Sequence, residues 1–146
     1  MQECLGKVDP LMIKAVGPMA GGSRVGSLCG AVQAGVLTLG MLYGAEGENL
    51  GSQEALVESF QPVIRFYRKF EKVFGSRNCP EIIHADLNNP EEREKWVDRG
   101  GLEECARLCG RTVRILFEVI GEKGHKLALS QKRKKVKGAR RGLQTP

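Results

Sequence analysis

Between residues 52 and 75 the chain repeats apolar side chains at three- and four-residue steps, Leu56, Phe60, Val63, Ile64, Tyr67, Phe70, Val73 and Phe74, with charged residues between them. That is the period of a helix with one apolar face. Ser52 supplies an N-cap and Gly75 a stop, so one long helix is predicted here, with Pro62 as a point where it kinks or restarts. A second stretch, from about Leu28 to Tyr43, is apolar nearly all round, which predicts a buried central helix. Leu108, Val113, Leu116, Phe117 and Ile120 mark the apolar side of a third helix, from about Leu102 to Ile120. Shorter helices are announced by their caps. Asp9-Pro10 opens one that runs to about Val16, Asn78 opens one from Cys79 to about His84, and Asn89-Pro90 opens one that Gly100-Gly101 closes. No alternating pattern of strand length and no internal repeat occurs. The fold expected is all-α, a compact bundle of about five to six helices.

Composition agrees with that picture and adds a division of charge. The 146 residues, 41% of them hydrophobic, suffice for one core. No apolar run reaches the length of a membrane span. Met1-Gln2-Glu3-Cys4 lacks a basic region followed by an apolar stretch, so no secretory signal and a cytoplasmic location are expected. The net charge of +6 is not a global property. Residues 126–146 hold eight Lys and Arg and no acid, leaving 15 Lys and Arg against 17 Asp and Glu in residues 1–125, a net −2. The division expected is a helical, cysteine-bearing domain over 1–124 and a flexible basic tail over 125–146.

The chemistry-bearing residues are the cysteines. Five is an odd number, which a fully disulfide-paired monomer cannot satisfy, and structural disulfides are rare in the cytoplasm. Cys29 closes a glycine-rich run, Gly21-Gly22-Ser23-Arg24-Val25-Gly26-Ser27-Leu28-Cys29-Gly30, where a helix should begin. Cys79 lies between Asn78 and Pro80, at another helix start. Cys105 and Cys109 are four residues apart, on one helix face. Helix N-termini favour thiolate through their dipole and unpaired N–H groups, which makes Cys79 a candidate low-pKa thiol. Together these placements point to a metal or iron–sulfur site.

Three segments also resemble a known family. Gly21-Gly-Ser-Arg-Val-Gly-Ser-Leu-Cys29-Gly-Ala-Val-Gln-Ala-Gly35 is similar to the middle motif of the C-GCAxxG-C-C family of redox-active proteins. Phe70 to Cys79, followed by Asp86-Leu-Asn-Asn-Pro-Glu, resembles its third-cysteine segment, and Cys109-Gly-Arg-Thr-Val-Arg-Ile-Leu-Phe-Glu its last-cysteine helix. The likeness covers roughly residues 5–120. It implies a helical domain with clustered cysteines, in small proteins of mainly anaerobic microbes, related to the iron–sulfur-binding part of split-Soret cytochromes c, which are dimers. By that analogy Cys29, Cys79 and Cys109 would be ligands of an iron–sulfur cluster, [2Fe-2S] or [4Fe-4S]. The family's first cysteine normally lies on a helix well before the glycine-rich loop. Here only Cys4 precedes that loop, at short spacing, and Cys105 is an extra cysteine that could supply the fourth ligand. The function implied is electron transfer to a redox partner protein, with a homodimer allowed. No Cys-x-x-Cys-His occurs, so c-type haem is not expected.

Other readings compete. Four cysteines could hold zinc, though no spacing here is the Cys-x2-Cys of common zinc modules. A thiol–disulfide protein would use Cys79 or Cys29 as the attacking thiol and Cys109 or Cys105 to resolve the mixed disulfide. The basic tail could contact nucleic acid or an acidic partner, but it lacks aromatics for base stacking, and a solvated extension is the simpler reading. His84 and His125 are the two histidines; His84 lies just after Cys79, where a ligand role is conceivable, but a surface histidine at a helix end is the simpler reading, and the glycine-rich run follows a helix and lacks the Lys-Ser/Thr of a phosphate loop.

Overall fold

The structure, a computed structural model, describes residues 9–122. Cys4, His125 and the basic tail therefore lie outside the described residues. Six helices follow one another: α1 (Pro10–Val16), α2 (Gly30–Tyr43), α3 (Gln53–Phe74), α4 (Cys79–Ile83), α5 (Pro90–Asp98) and α6 (Gly101–Glu122). Among the described residues there is no strand, only an isolated antiparallel bridge between Leu28 and Asn78. No described helix is long and apolar enough to cross a membrane.

The helix starts follow their capping residues. Asp9 accepts a hydrogen bond from the Leu11 amide (2.8 Å), Ser52 from Ala55, and Asn89 from Glu91 and Glu92. Each satisfies an N–H that the helix itself leaves unpaired. Asn78 departs from this pattern. Its side chain makes no capping bond and instead donates to Glu81 (2.9 Å). Pro62 neither stops nor restarts α3, which is unbroken from Gln53 to Phe74 and ends at left-handed Gly75 (φ 78°). The ring is buried, so packing offsets the hydrogen bond that the missing N–H cannot make.

α2, α3 and α6 pack on one another to form the main core. Phe66 and Phe70 of α3 are fully buried, with Val32 and Leu39 from α2 and Leu108, Ile115, Leu116, Val119 and Ile120 from α6. The buried face of α6 is rotated from the expected one. Thr112, Ile115 and Val119 are buried, whereas Val113 and Phe117 are half-buried. Thr112 is accommodated because its hydroxyl donates to the Leu108 carbonyl (2.9 Å). Gly35 lets α2 approach α3, since a Cβ there would collide with the Phe66 ring. Lys69 of α3 pairs with Glu118 and Glu122 of α6, both at 3.0 Å. These pairs are solvent-exposed and add little beyond the apolar contact.

A second, smaller cluster joins the short helices to α6. Cys79, Ile83 and Trp96 are buried together, with Ile82, Leu87 and Cys105 against them. Gly101 opens α6 directly over the Trp96 indole, where any side chain would overlap the ring. Arginines fix the connections: Arg99 donates to the Ile83 carbonyl (2.6 Å) and Arg93 to the Leu87 carbonyl (3.1 Å).

Candidate four-cysteine site

The glycine-rich run forms a left-handed turn. Four consecutive residues have positive φ: Gly21 (65°), Gly22 (67°), Ser23 (56°) and Arg24 (58°). Two bonds close it, from the Arg24 amide to the Gly21 carbonyl (3.3 Å) and from the Val25 amide to the Gly22 carbonyl (3.2 Å). Glycine adopts this conformation freely, but Ser23 and Arg24 do so at a cost of roughly 1–2 kcal/mol each. Gln33, one turn into α2, holds the loop in place. Its amide nitrogen donates to the Leu28 carbonyl (2.8 Å) and the Ser23 hydroxyl (3.4 Å).

The loop leads into a backbone clasp that places two cysteines side by side. The Cys29 amide donates to the Arg77 carbonyl (2.8 Å), and the Cys79 amide donates to the Ser27 carbonyl (3.0 Å). These reciprocal bonds flank the Leu28–Asn78 bridge, so Cys29 at the N-cap of α2 and Cys79 at the start of α4 leave the clasp together. Gly22 is packed beneath them. A Cβ there would lie 2.9 Å from Cys79 Cβ and 2.7 Å from the Ser27 carbonyl oxygen. Gly30 is equally constrained, with the Met19 carbonyl oxygen 2.6 Å from where a Cβ would stand.

Cys29, Cys79, Cys105 and Cys109 all line one cavity of about 530 Å3. Small residues, Ala20, Gly21, Gly30, Ala31 and Ala34, make one wall, and Ile83, Leu87, Trp96, Val97, Leu102 and Leu108 make much of the rest. Cys29 and Cys79 are buried, Cys105 is half-buried and Cys109 is exposed, so the thiols run from the interior to the rim. Among the described residues, Arg24 and Arg93 are the only charged ones in the lining. All four cysteines are free thiols. His84 stands outside the cavity, exposed at the end of α4, as a surface histidine should.

The electrostatics correct one expectation. Cys79 is not a low-pKa thiol: burial, and then the nearby sulfurs of Cys29 and Cys105, push it from the usual 9.0 up to about 11. Burial in a five-residue helix outweighs whatever its start contributes. Cys105 is pushed up by burial, then by Cys29, Cys109 and Glu104; Cys109, although exposed to solvent at the rim, is pushed up first by the desolvation of its cavity-facing side and then by Cys29. These three thiols are protonated at neutral pH unless something positive replaces their protons.

Among the described residues no three His, Cys, Asp or Glu side chains converge on a point that a single metal ion could occupy. The donors around the cavity are nonetheless all soft sulfurs, with no histidine or carboxylate among them. Thiolate donors of this kind suit an iron–sulfur cluster or a zinc ion. The N–H groups of Gly30 and Ala31 lie ahead of the α2 hydrogen-bond ladder, whose first bonds run from Val32 and Gln33 to the Cys29 carbonyl. The Cys29 side chain makes no capping bond of its own.

No curated protein and no solved structure gives a significant match to the chain. Residues 1–119 match the family described as "Putative redox-active protein (C_GCAxxG_C_C)". With its three cysteine segments folded onto one cavity, the chain belongs to this redox-active family.

Proposed function

We propose that the protein is a small redox carrier whose cavity holds an iron–sulfur cluster on Cys29, Cys79, Cys105 and Cys109. The observation that carries this reading is that four cysteines from three separate parts of the sequence line one apolar cavity. The cluster would supply one-electron chemistry to a redox partner protein. The chain's own contribution is to bury Cys29 and Cys79, to keep Cys109 exposed at the rim, and to place Gly30 and Ala31 at the start of α2 in the cavity wall, where N–H groups could tune the sulfurs. The motif resemblance named Cys29, Cys79 and Cys109, and the place of Cys105 in the same lining makes it the fourth ligand in this proposal.

Thiol exchange led by Cys79 is a weaker reading, because burial holds that thiol up near 11, which makes it a poor nucleophile at neutral pH. Zinc is weaker because no three donors meet at one point among the described residues. Anaerobic purification with iron and acid-labile sulfide assays tests the proposal. Brown protein containing both, bleached by dithionite, is expected. Colourless protein free of iron after reconstitution would exclude the cluster.

A further inference from the structure

The cavity is in the size range of small-molecule sites, roughly 300–1,000 Å3, and its walls are nearly all apolar. Two cations interrupt them. Arg24 and Arg93 share a wall: the Arg24 stem and the Leu87 side chain both lie against Gly21, 3.4 and 3.2 Å from where its Cβ would be. Arg93 donates to the Leu87 carbonyl (3.1 Å). That bond uses one of its five donors. Among the described residues, neither guanidinium is ion-paired with a carboxylate and no acidic residue lines the cavity. Trp96, only 5% exposed, lines the same cavity, and its indole N–H has no acceptor among the described residues.

We propose that this cavity binds a small organic anion with an apolar body, its charged end taken by Arg24 and Arg93 and its body lying along Ile83, Leu87 and Trp96. The assignment rests on the redox reading of the same cavity, since it seats the anion beside the thiols, where a reaction partner would sit. A guanidinium beside an apolar wall recognises a carboxylate or similar head group through charge-assisted, often paired, hydrogen bonds. The left-handed conformation of Arg24 fits this role, because a strained residue at a cavity lip is retained where position matters more than stability.

Trp96 is the sole tryptophan and lines the cavity, so its fluorescence reports from the cavity wall. The test titrates the full chain, purified anaerobically, with octanoate and separately with 1-octanol. Iron and sulfide are measured on the same samples. Octanoate is expected to change Trp96 emission saturably, and 1-octanol to bind at least about tenfold more weakly. Arg24→Gln and Arg93→Gln should each weaken octanoate about tenfold. Equal binding of octanoate and octanol, no saturable change, or variants that bind octanoate like the wild type would each overturn the anion site. The octanoate–octanol comparison uses wild-type protein, so it stands even if Arg93→Gln unfolds. Colourless protein that still prefers octanoate defeats only the cluster, whereas brown protein that ignores octanoate defeats only this assignment.

Discussion

A single residue, Gly22, shows how closely the sequence is tied to the site. It has a φ of 67°, and a Cβ would press on both Cys79 and the Ser27 carbonyl that holds the Cys79 amide. Gly22→Ala should therefore destabilise the chain by about 1–3 kcal/mol through strain and overpacking. It should also displace Cys79 and lower the iron content after reconstitution. Thermal melts and iron assays read the two effects, and wild-type values in both would contradict the packing described. Cys79 itself makes a pH prediction. Because its thiol is raised to about 11, iodoacetamide alkylation of Cys79 in cluster-free protein should keep accelerating up to that pH. The sign also sets a stability trend. The unfolded thiol ionises first, so the stabilisation is intact below pH about 9 and is lost as pH rises through about 11. A rate that levels off by pH 9 would contradict the burial argument. Nothing in the residue types around Cys79 announced this; Asn-Cys-Pro reads as a helix start, and only the folded contacts show that desolvation dominates.

At the scale of elements, most helices were legible because their caps and periods agree. Ser52 and Gly75 bracket α3, and Asn89 with Pro90 opens α5, as expected. The face of α6 was less legible, because Thr112 is polar by type and is buried only through its bond to the Leu108 carbonyl. The clasp between Ser27–Cys29 and Arg77–Cys79 was not legible at all. Its partners are far apart in sequence, and two-residue pairing carries no alternating pattern. Phe66, fully buried between α2 and α3 and filling the space at Gly35, carries much of the core. Phe66→Ala should cost about 3–5 kcal/mol, measured by denaturant unfolding. The left-handed turn makes an opposite prediction. Arg24→Gly removes a strained side chain and should raise the melting temperature slightly, by about 1 kcal/mol of stability at most, while weakening octanoate. A lower melting temperature would show that Arg24 supports the fold instead.

For the whole molecule, the cysteines are the main result. Spacing in the sequence offered four candidates, and the fold brings all four to one cavity, although they enter from three separate segments. All four cysteines precede the run of basic residues that begins after 125. A chain ending at residue 125 should keep any visible chromophore unchanged, and loss of colour on truncation would tie the tail to the site. The most direct test of the central claim is the visible spectrum of anaerobically purified protein, with iron and acid-labile sulfide measured alongside. The account predicts a brown, dithionite-bleached protein whose colour is lost with Cys29→Ser or Cys79→Ser. A colourless protein, free of iron and sulfide even after reconstitution, would contradict it.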